Sequence, residues 1–304
     1  MNTAPSIHPR RSALFVPAAR PRALAKARTA GADVLIFDLE DSAGPDEKRT
    51  ARERLAAWLH EGGAWPEVER LVRVNALDAP GAADDLAAIA GAPIDGVVLP
   101  KVEDPRVVRG AEATLARLGA PDALRLWPMI ETPRGVLAAE AIAAASPRVD
   151  ALVLGANDLL AALDADPAAE REALLYARSH LVMVARAFGL TPLDAVYVRL
   201  DDPEGFAASS RASRALGFAG RTIIHPSMVA PANEAYGPTP AALADARALV
   251  EAWGARPAGV GVVRVGERMV EALHVDAAAR LLAYADALAR RSAARSAASA
   301  PEGA

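Results

Sequence analysis

Several chemically able side chains fall where apolar runs stop. The run "DVLIFDLEDS" reaches Glu40 and Asp41, and "RLVRVNA" carries Arg73 and Asn75. "DGVVLPKVED" passes into Lys101 and Glu103, and "LRLWPMIETP" delivers Glu131. "DALVLGANDL" reaches Asn157 and Asp158, and "GRTIIHP" closes on His225. Singly, each has a plain structural reading. A carboxylate after a strand commonly caps the next helix, Glu40 and Asp41 fit a solvated turn, and Arg73 fits an ion-pair partner. As a set they are several acids and one arginine. Two carboxylates from adjacent strand ends suit a hard cation, because Mg²⁺ takes one or two carboxylates and leaves its other positions to water and substrate oxygens. The five histidines are scattered and there is no cysteine. A zinc site therefore has no support, and His225 reads as a hydrogen-bonded structural group. No Gly-x-Ser-x-Gly elbow and no Walker phosphate loop occurs, which removes the usual serine-hydrolase and nucleotide-phosphate signatures.

Such residues meet only if the runs are strands of one sheet. Eight short runs, at 12–18, 33–40, 70–76, 95–102, 124–131, 150–157, 193–200 and 220–226, alternate with helical patterns such as "DEKRTARERLAAWLHEGG" and "REALLYARSHLVMVARAFGL". Most runs are continuously apolar, the mark of parallel strands buried on both faces. Eight strand–helix units predict an α/β fold, a (β/α)₈ TIM barrel, whose catalytic groups sit at the C-terminal ends of the strands. The runner-up, an open doubly wound sheet, is weakened because no Gly-x-Gly-x-x-Gly turn follows the first run. The barrel is expected over 11–237, after a flexible N-terminus at 1–10. A C-terminal helical and hairpin extension is expected over 238–290, with two short strands around Gly266, and a disordered tail over 291–304.

The chain has 304 residues, more than half of them hydrophobic, and a net charge of −4 with the signs mixed. No basic run marks a nucleic-acid partner, and no apolar run is long enough to span a bilayer. The lack of cysteine fits a reducing compartment. With no secretory h-region after Arg10 and Arg11, a soluble cytoplasmic protein is expected.

The motifs "FVPAARPRALAKA", "GADVLIFDLEDS", "VRVNALDAPG", "DGVVLPKVEDP", "LWPMIETPRGVLAA", "LVLGANDL" and "ALGFAGRTIIHPSMVAPANEAY" run in order from about Arg11 onward. Together they resemble the citrate lyase β-subunit-like (HpcH/HpaI aldolase/citrate lyase) family of the phosphoenolpyruvate/pyruvate barrel superfamily. The resemblance implies Mg²⁺-dependent carbon–carbon bond cleavage or formation on a β-hydroxyacyl-CoA such as malyl-, citramalyl- or citryl-CoA. The products would be an acyl-CoA and an α-keto acid. It implies that Glu131 and Asp158 hold Mg²⁺, that Arg73 faces the reacting carbonyl, and that Glu40 and Asp41 orient Arg73 and the metal's water. It also implies that Arg20 and Lys26 contact the coenzyme A phosphates, and that the chain forms a homo-oligomer, a trimer or a multiple of one. Three departures bear on these roles. Ala18 stands where the family usually has Gly, Arg221 where Lys is common, and Glu271 in "MVEALH" where a Met-x-Asp-x-Pro acid serves the neighbouring subunit. Two other enzyme readings stay open: a citrate lyase β-subunit acting on an acyl-carrier-protein thioester, and a CoA-independent aldolase on hydroxy-keto acids. A ligand-binding barrel without turnover is the non-enzyme alternative.

Overall fold

The computed structural model describes residues 8–61, 68–257 and 259–298. They divide into two compact units, one over Arg10–Tyr236 and one formed by the N-terminal residues up to Pro9 with the chain from Gly237 onward.

In the first unit β1 (Ser12–Pro17), α1 (Pro21–Ala27), β2 (Val34–Asp38), α2 (Lys48–Glu61), β3 (Glu69–Arg73), α3 (Ala82–Ile89) and β4 (Gly96–Leu99) follow one another. They continue with α4 (Pro105–Arg117), β5 (Arg125–Ile130), α5 (Pro133–Leu137), α6 (Ala139–Ala143), β6 (Ala151–Leu154) and α7 (Ala156–Ala162). The unit ends with α8 (Glu170–Ala173), α9 (Leu175–Ala187), β7 (Thr191–Asp194), α10 (Pro203–Leu216), β8 (Gly220–Ile223) and α11 (Val229–Tyr236). The eight strands pair in parallel in sequence order, and β8 closes on β1, giving the closed barrel that the apolar runs predict.

Both faces of every strand are covered, which is why the runs do not alternate with polar residues. Leu35, Phe37, Val72, Val97, Leu126 and Leu152 face the helices. Val34, Ile36, Leu71, Val98, Trp127 and Val153 fill the barrel interior. The interior alternation carries on past the apolar layers: after Val34 and Ile36 comes Asp38, and after Leu71 comes Arg73. Asp38 and Arg73 are register partners on adjacent strands, so the period of two delivers opposite charges side by side at the mouth.

Strand β7 lies at Thr191–Asp194, earlier than the β-branched run 193–200 predicts. Its position follows from pairing: Leu152 opposes Pro192 and Leu193 opposes Gly220. The residues from Val198 to Leu200 leave the sheet and are exposed.

The floor of the barrel corrects the expectation of a loose N-terminus. Arg10 is buried, with its Nη2 2.6 Å from Glu69 and 2.7 Å from Asp150. Its guanidinium lies 4.6 Å from the Trp127 ring. Residues 1–7 of the segment expected to be flexible lie outside the described residues.

The second unit holds α12 (Pro240–Gly254), the hairpin β9 (Val262–Val265) and β10 (Arg268–Glu271), and the long helix α13 (Ala272–Ala298). Gly266 takes φ +60 at the hairpin turn, a left-handed conformation that suits glycine. Leu249, Val270 and Ala278 form its small core. The segment from Arg291, expected to be disordered, continues α13 as far as Ala298. Its alanines have the highest helix propensity, and buried Arg291 donates to the Pro9 carbonyl. Residues 299–304 lie outside the described residues. No helix among the described residues is long and apolar enough to cross a membrane.

Candidate active site

At the C-terminal ends of the strands a cavity of about 320 Å³ opens, lined among others by Phe15, Asp38, Asp41, Arg73, Glu131 and Asp158. Arg73 is its organising cation. Its Nε donates to Asp38 at 2.7 Å, and its two terminal nitrogens lie 3.0 Å from Glu40 and 3.0 Å from Asp41. The Phe15 ring packs 4.7 Å from the guanidinium carbon. Burial works against the charge on Arg73, but the hydrogen bond and charge of Asp38, with Glu40 and Asp41, outweigh it and raise its pKa. A guanidinium has five N–H groups; the hydrogen bonds to Asp38 and Asp41 take two of them, and the contact with Glu40 is an ion pair.

Glu40 is buried and bridges two cations, Arg73 on one oxygen and Lys101 Nζ at 2.9 Å on the other. Burial is the largest influence on Glu40 and raises its pKa against the pull of both. Asp41 is mostly exposed at the cavity rim. Asn75, one of the polar strand-end residues, is tied to Asp85 and the Leu39 carbonyl and braces the loops beneath.

Glu131 ends β5. The helix that follows is capped by the neighbouring residue instead: Thr132 Oγ1 accepts from Gly135 N at 3.1 Å. Glu131 is thus released from the capping role its position suggests. It is buried, accepts a 2.6 Å hydrogen bond from the Lys101 backbone N–H, and packs against Gly155. Burial pushes its pKa up to about 7; the Lys101 N–H opposes this, and the charges of Asp158 and Glu40 add to it. Asp158 lies in the first turn of α7 without capping it, exposed at the mouth.

A carboxylate whose pKa is raised first by burial and then by neighbouring carboxylates fits a divalent cation, because a bound cation favours the ionised form. The donors are oxygens only, and two carboxylates match Mg²⁺. Among the described residues no group of three or more His, Asp or Glu is placed to hold a metal.

The other sequence-derived candidates of the barrel unit do not line this cavity. Arg20 is exposed at the start of α1 and Lys26 is exposed in its last turn; neither lines the cavity. Glu271 ends β10 in the C-terminal unit, exposed, with its N–H directed to His274 Nδ1 at 3.1 Å. His225 caps the short turn after β8 through its Nδ1, as a structural histidine would. Arg221 is buried on the Ala195 carbonyl and Ser210, away from the cavity lining. Ala18 is buried with its N–H on the Asp38 carbonyl. It is not among the residues with positive φ, so its backbone asks for no glycine.

Sequence reasoning missed Asp38, the carboxylate bonded to Arg73 Nε. Its signal was the inward alternation Val34, Ile36, Asp38. It also missed the part played by Lys101, which touches both carboxylate groups of the site.

Comparisons with known proteins identify the family. Residues 11–226 match the HpcH/HpaI aldolase/citrate lyase family. The chain is 38% identical to a (3S)-malyl-CoA thioesterase of Cereibacter sphaeroides, over 93% of this chain and 96% of that protein. It is 34% identical to the citrate lyase subunit beta of Escherichia coli, over 91% and 93%. The crystal structure of CitE from Mycobacterium tuberculosis with magnesium, acetoacetate and coenzyme A superposes with a TM-score of 0.74 at 33% identity, covering 90% of this chain and 97% of that one. The chain belongs to the HpcH/HpaI aldolase/citrate lyase family.

Proposed function

We propose that this barrel makes or breaks the carbon–carbon bond of a β-hydroxyacyl-CoA such as malyl-, citramalyl- or citryl-CoA. Cleavage would release an acyl-CoA and an α-keto acid. The observation that carries the reading is the pairing, across one cavity, of buried Glu131 beside Asp158 with Arg73 held by three carboxylates.

Retro-aldol cleavage leaves negative charge on the enolate oxygen of the departing acyl-CoA, and donors fixed before the reaction stabilise such charge best. Arg73 would supply N–H groups not bonded to Asp38 or Asp41, and its orientation is fixed by three carboxylates before substrate arrives. Glu131 and Asp158 would hold Mg²⁺, which when bound acts as a Lewis acid and template for the keto-acid oxygens. Phe15 and Met129 add apolar wall to the cavity, limiting water around the developing charge. The coenzyme A moiety is longer than the cavity, and its phosphates would run out to exposed Arg20 and Lys26. Glu271 would serve as the proton donor or acceptor for a neighbouring subunit's cavity in a homo-oligomer, a trimer or a multiple of one. A cytoplasmic setting follows from the thioester substrate and a cysteine-free chain.

The likeness to a malyl-CoA thioesterase favours a second reading, hydrolysis of the thioester. One assay separates the two. Protein with Mg²⁺ is incubated with malyl-, citramalyl- and citryl-CoA, and keto acid and free thiol are measured together. The lyase gives keto acid while the thioester stays intact; the hydrolase gives free coenzyme A thiol and no keto acid. Absence of keto acid from every substrate, with Glu131→Ala indistinguishable from wild type, sinks the lyase reading.

A further inference from the structure

Among the described residues only two besides glycine have positive φ, Lys101 at +50 and Asp164 at +51. Aspartate enters the left-handed region readily through local hydrogen bonds; lysine has no such help. An unfavourable backbone persists where the surroundings over-determine it, and Lys101 is tied at both ends. Its N–H donates to Glu131 Oε1 at 2.6 Å. Its Nζ lies 2.9 Å from Glu40 Oε1, and the other oxygen of Glu40 lies 3.0 Å from Arg73. One residue therefore touches the carboxylate proposed for the metal and the carboxylate that holds the arginine. A glycine would relieve the backbone and lose the second contact.

We propose that Lys101 is a positioning residue that sets both halves of the site at once: its left-handed backbone aims Glu131 at the cation, and its ammonium fixes Glu40 and thereby Arg73. The inference rests on the reading of Glu131 as a Mg²⁺ ligand. The two contacts separate by substitution. Lys101→Gly keeps the backbone conformation and loses the ammonium. Lys101→Met loses the ammonium but keeps the stem. Lys101→Val penalises the backbone, because a β-branched residue rarely takes positive φ.

The test measures Mn²⁺ affinity by electron paramagnetic resonance, together with kcat and KM for the best thioester substrate. Lys101→Gly keeps Mn²⁺ affinity within about twofold, while Lys101→Val weakens it by about tenfold. In Lys101→Gly and Lys101→Met, kcat falls by roughly ten- to a hundredfold with KM changed less. Lys101→Arg, which keeps a cation, recovers part of that loss. If Lys101→Val does not fold, Lys101→Ala carries the backbone arm. Two results overturn the inference: Lys101→Val (or Lys101→Ala in its place) binding Mn²⁺ like wild type while Glu131→Gln does not, or Lys101→Met turning over at the wild-type rate. Unchanged Mn²⁺ binding in Glu131→Gln removes the metal reading beneath the inference, and the inference with it.

Discussion

Glu131 occupies the space that a side chain at position 155 would need. A Cβ built on Gly155 would collide with Glu131 Oε2 and with the Cβ of Glu131. Gly155 is the residue before α7, the helix that carries Asp158. The two acids proposed for the metal are thus brought together by a close approach that only glycine permits. The contact includes the first side-chain carbon of Glu131, so relief requires a shift of strand or helix rather than a rotamer change.

Gly155→Ala should therefore lower Mg²⁺ affinity and turnover by at least about tenfold, because a shift of about 1 Å at a site costs that much or more. Titration calorimetry with Mg²⁺ measures the first quantity directly. Wild-type affinity in a folded Gly155→Ala protein would show that Glu131 does not need its present position.

The three acids on Arg73 should not be equivalent. Asp38 is buried and bonded to Nε, whereas Asp41 is 67% exposed. Removing one partner of a buried charge pair costs on the order of 3 kcal/mol, and an exposed pair contributes under about 1 kcal/mol. Urea unfolding should show Asp38→Ala far less stable than Asp41→Ala. Equal losses would mean that burial does not rank these contacts.

The barrel and its charged mouth were legible because the same rule governs both. Strands covered on two faces write continuous apolar runs, and polar residues mark where the runs stop. The rule locates strand ends but does not say which way a side chain points. Glu40 and Asp41 stand out in the sequence as a pair of acids, whereas Asp38 sits inside the apolar run. Only its period-two register with Val34 and Ile36 marks it as inward. β7 was misplaced because β-branched residues advertise strand propensity, whereas the sheet is set by pairing with β6 and β8. The backbone of Lys101 had no signal at all, since a lysine does not announce positive φ. Thr132 hid in the opposite way: it is an ordinary helix cap, and its presence beside Glu131 is what frees the acid.

Metal binding should depend on pH with a definite sign. Burial first, then Asp158 and Glu40, raise Glu131 to about 7. A raised pKa means that the proton is held more tightly, so proton and cation compete for the same carboxylate. Mg²⁺ affinity should fall by about tenfold per pH unit below 7 and level off above it. Calorimetry at pH 6, 7 and 8 tests this. Affinity constant from pH 6 to 8 would place the cation off Glu131.

The last prediction separates stability from chemistry. At the barrel floor, Arg10 Nη2 lies 2.6 Å from Glu69 and 2.7 Å from Asp150. Asp150 also accepts from Trp127 Nε1 at 2.6 Å. Arg10→Met removes the cation and leaves two carboxylates partly buried beside each other, a change that costs on the order of 3 kcal/mol when a buried pair is broken. Reactions in such barrels take place at the opposite, C-terminal face, and Trp127, Ile36 and Leu71 fill the interior between the two ends. Arg10→Met should therefore lower the midpoint of thermal unfolding clearly, while kcat, KM and Mg²⁺ affinity measured well below that midpoint stay at wild-type values. Loss of Mg²⁺ affinity in the folded variant would mean that the floor sets the geometry of the mouth.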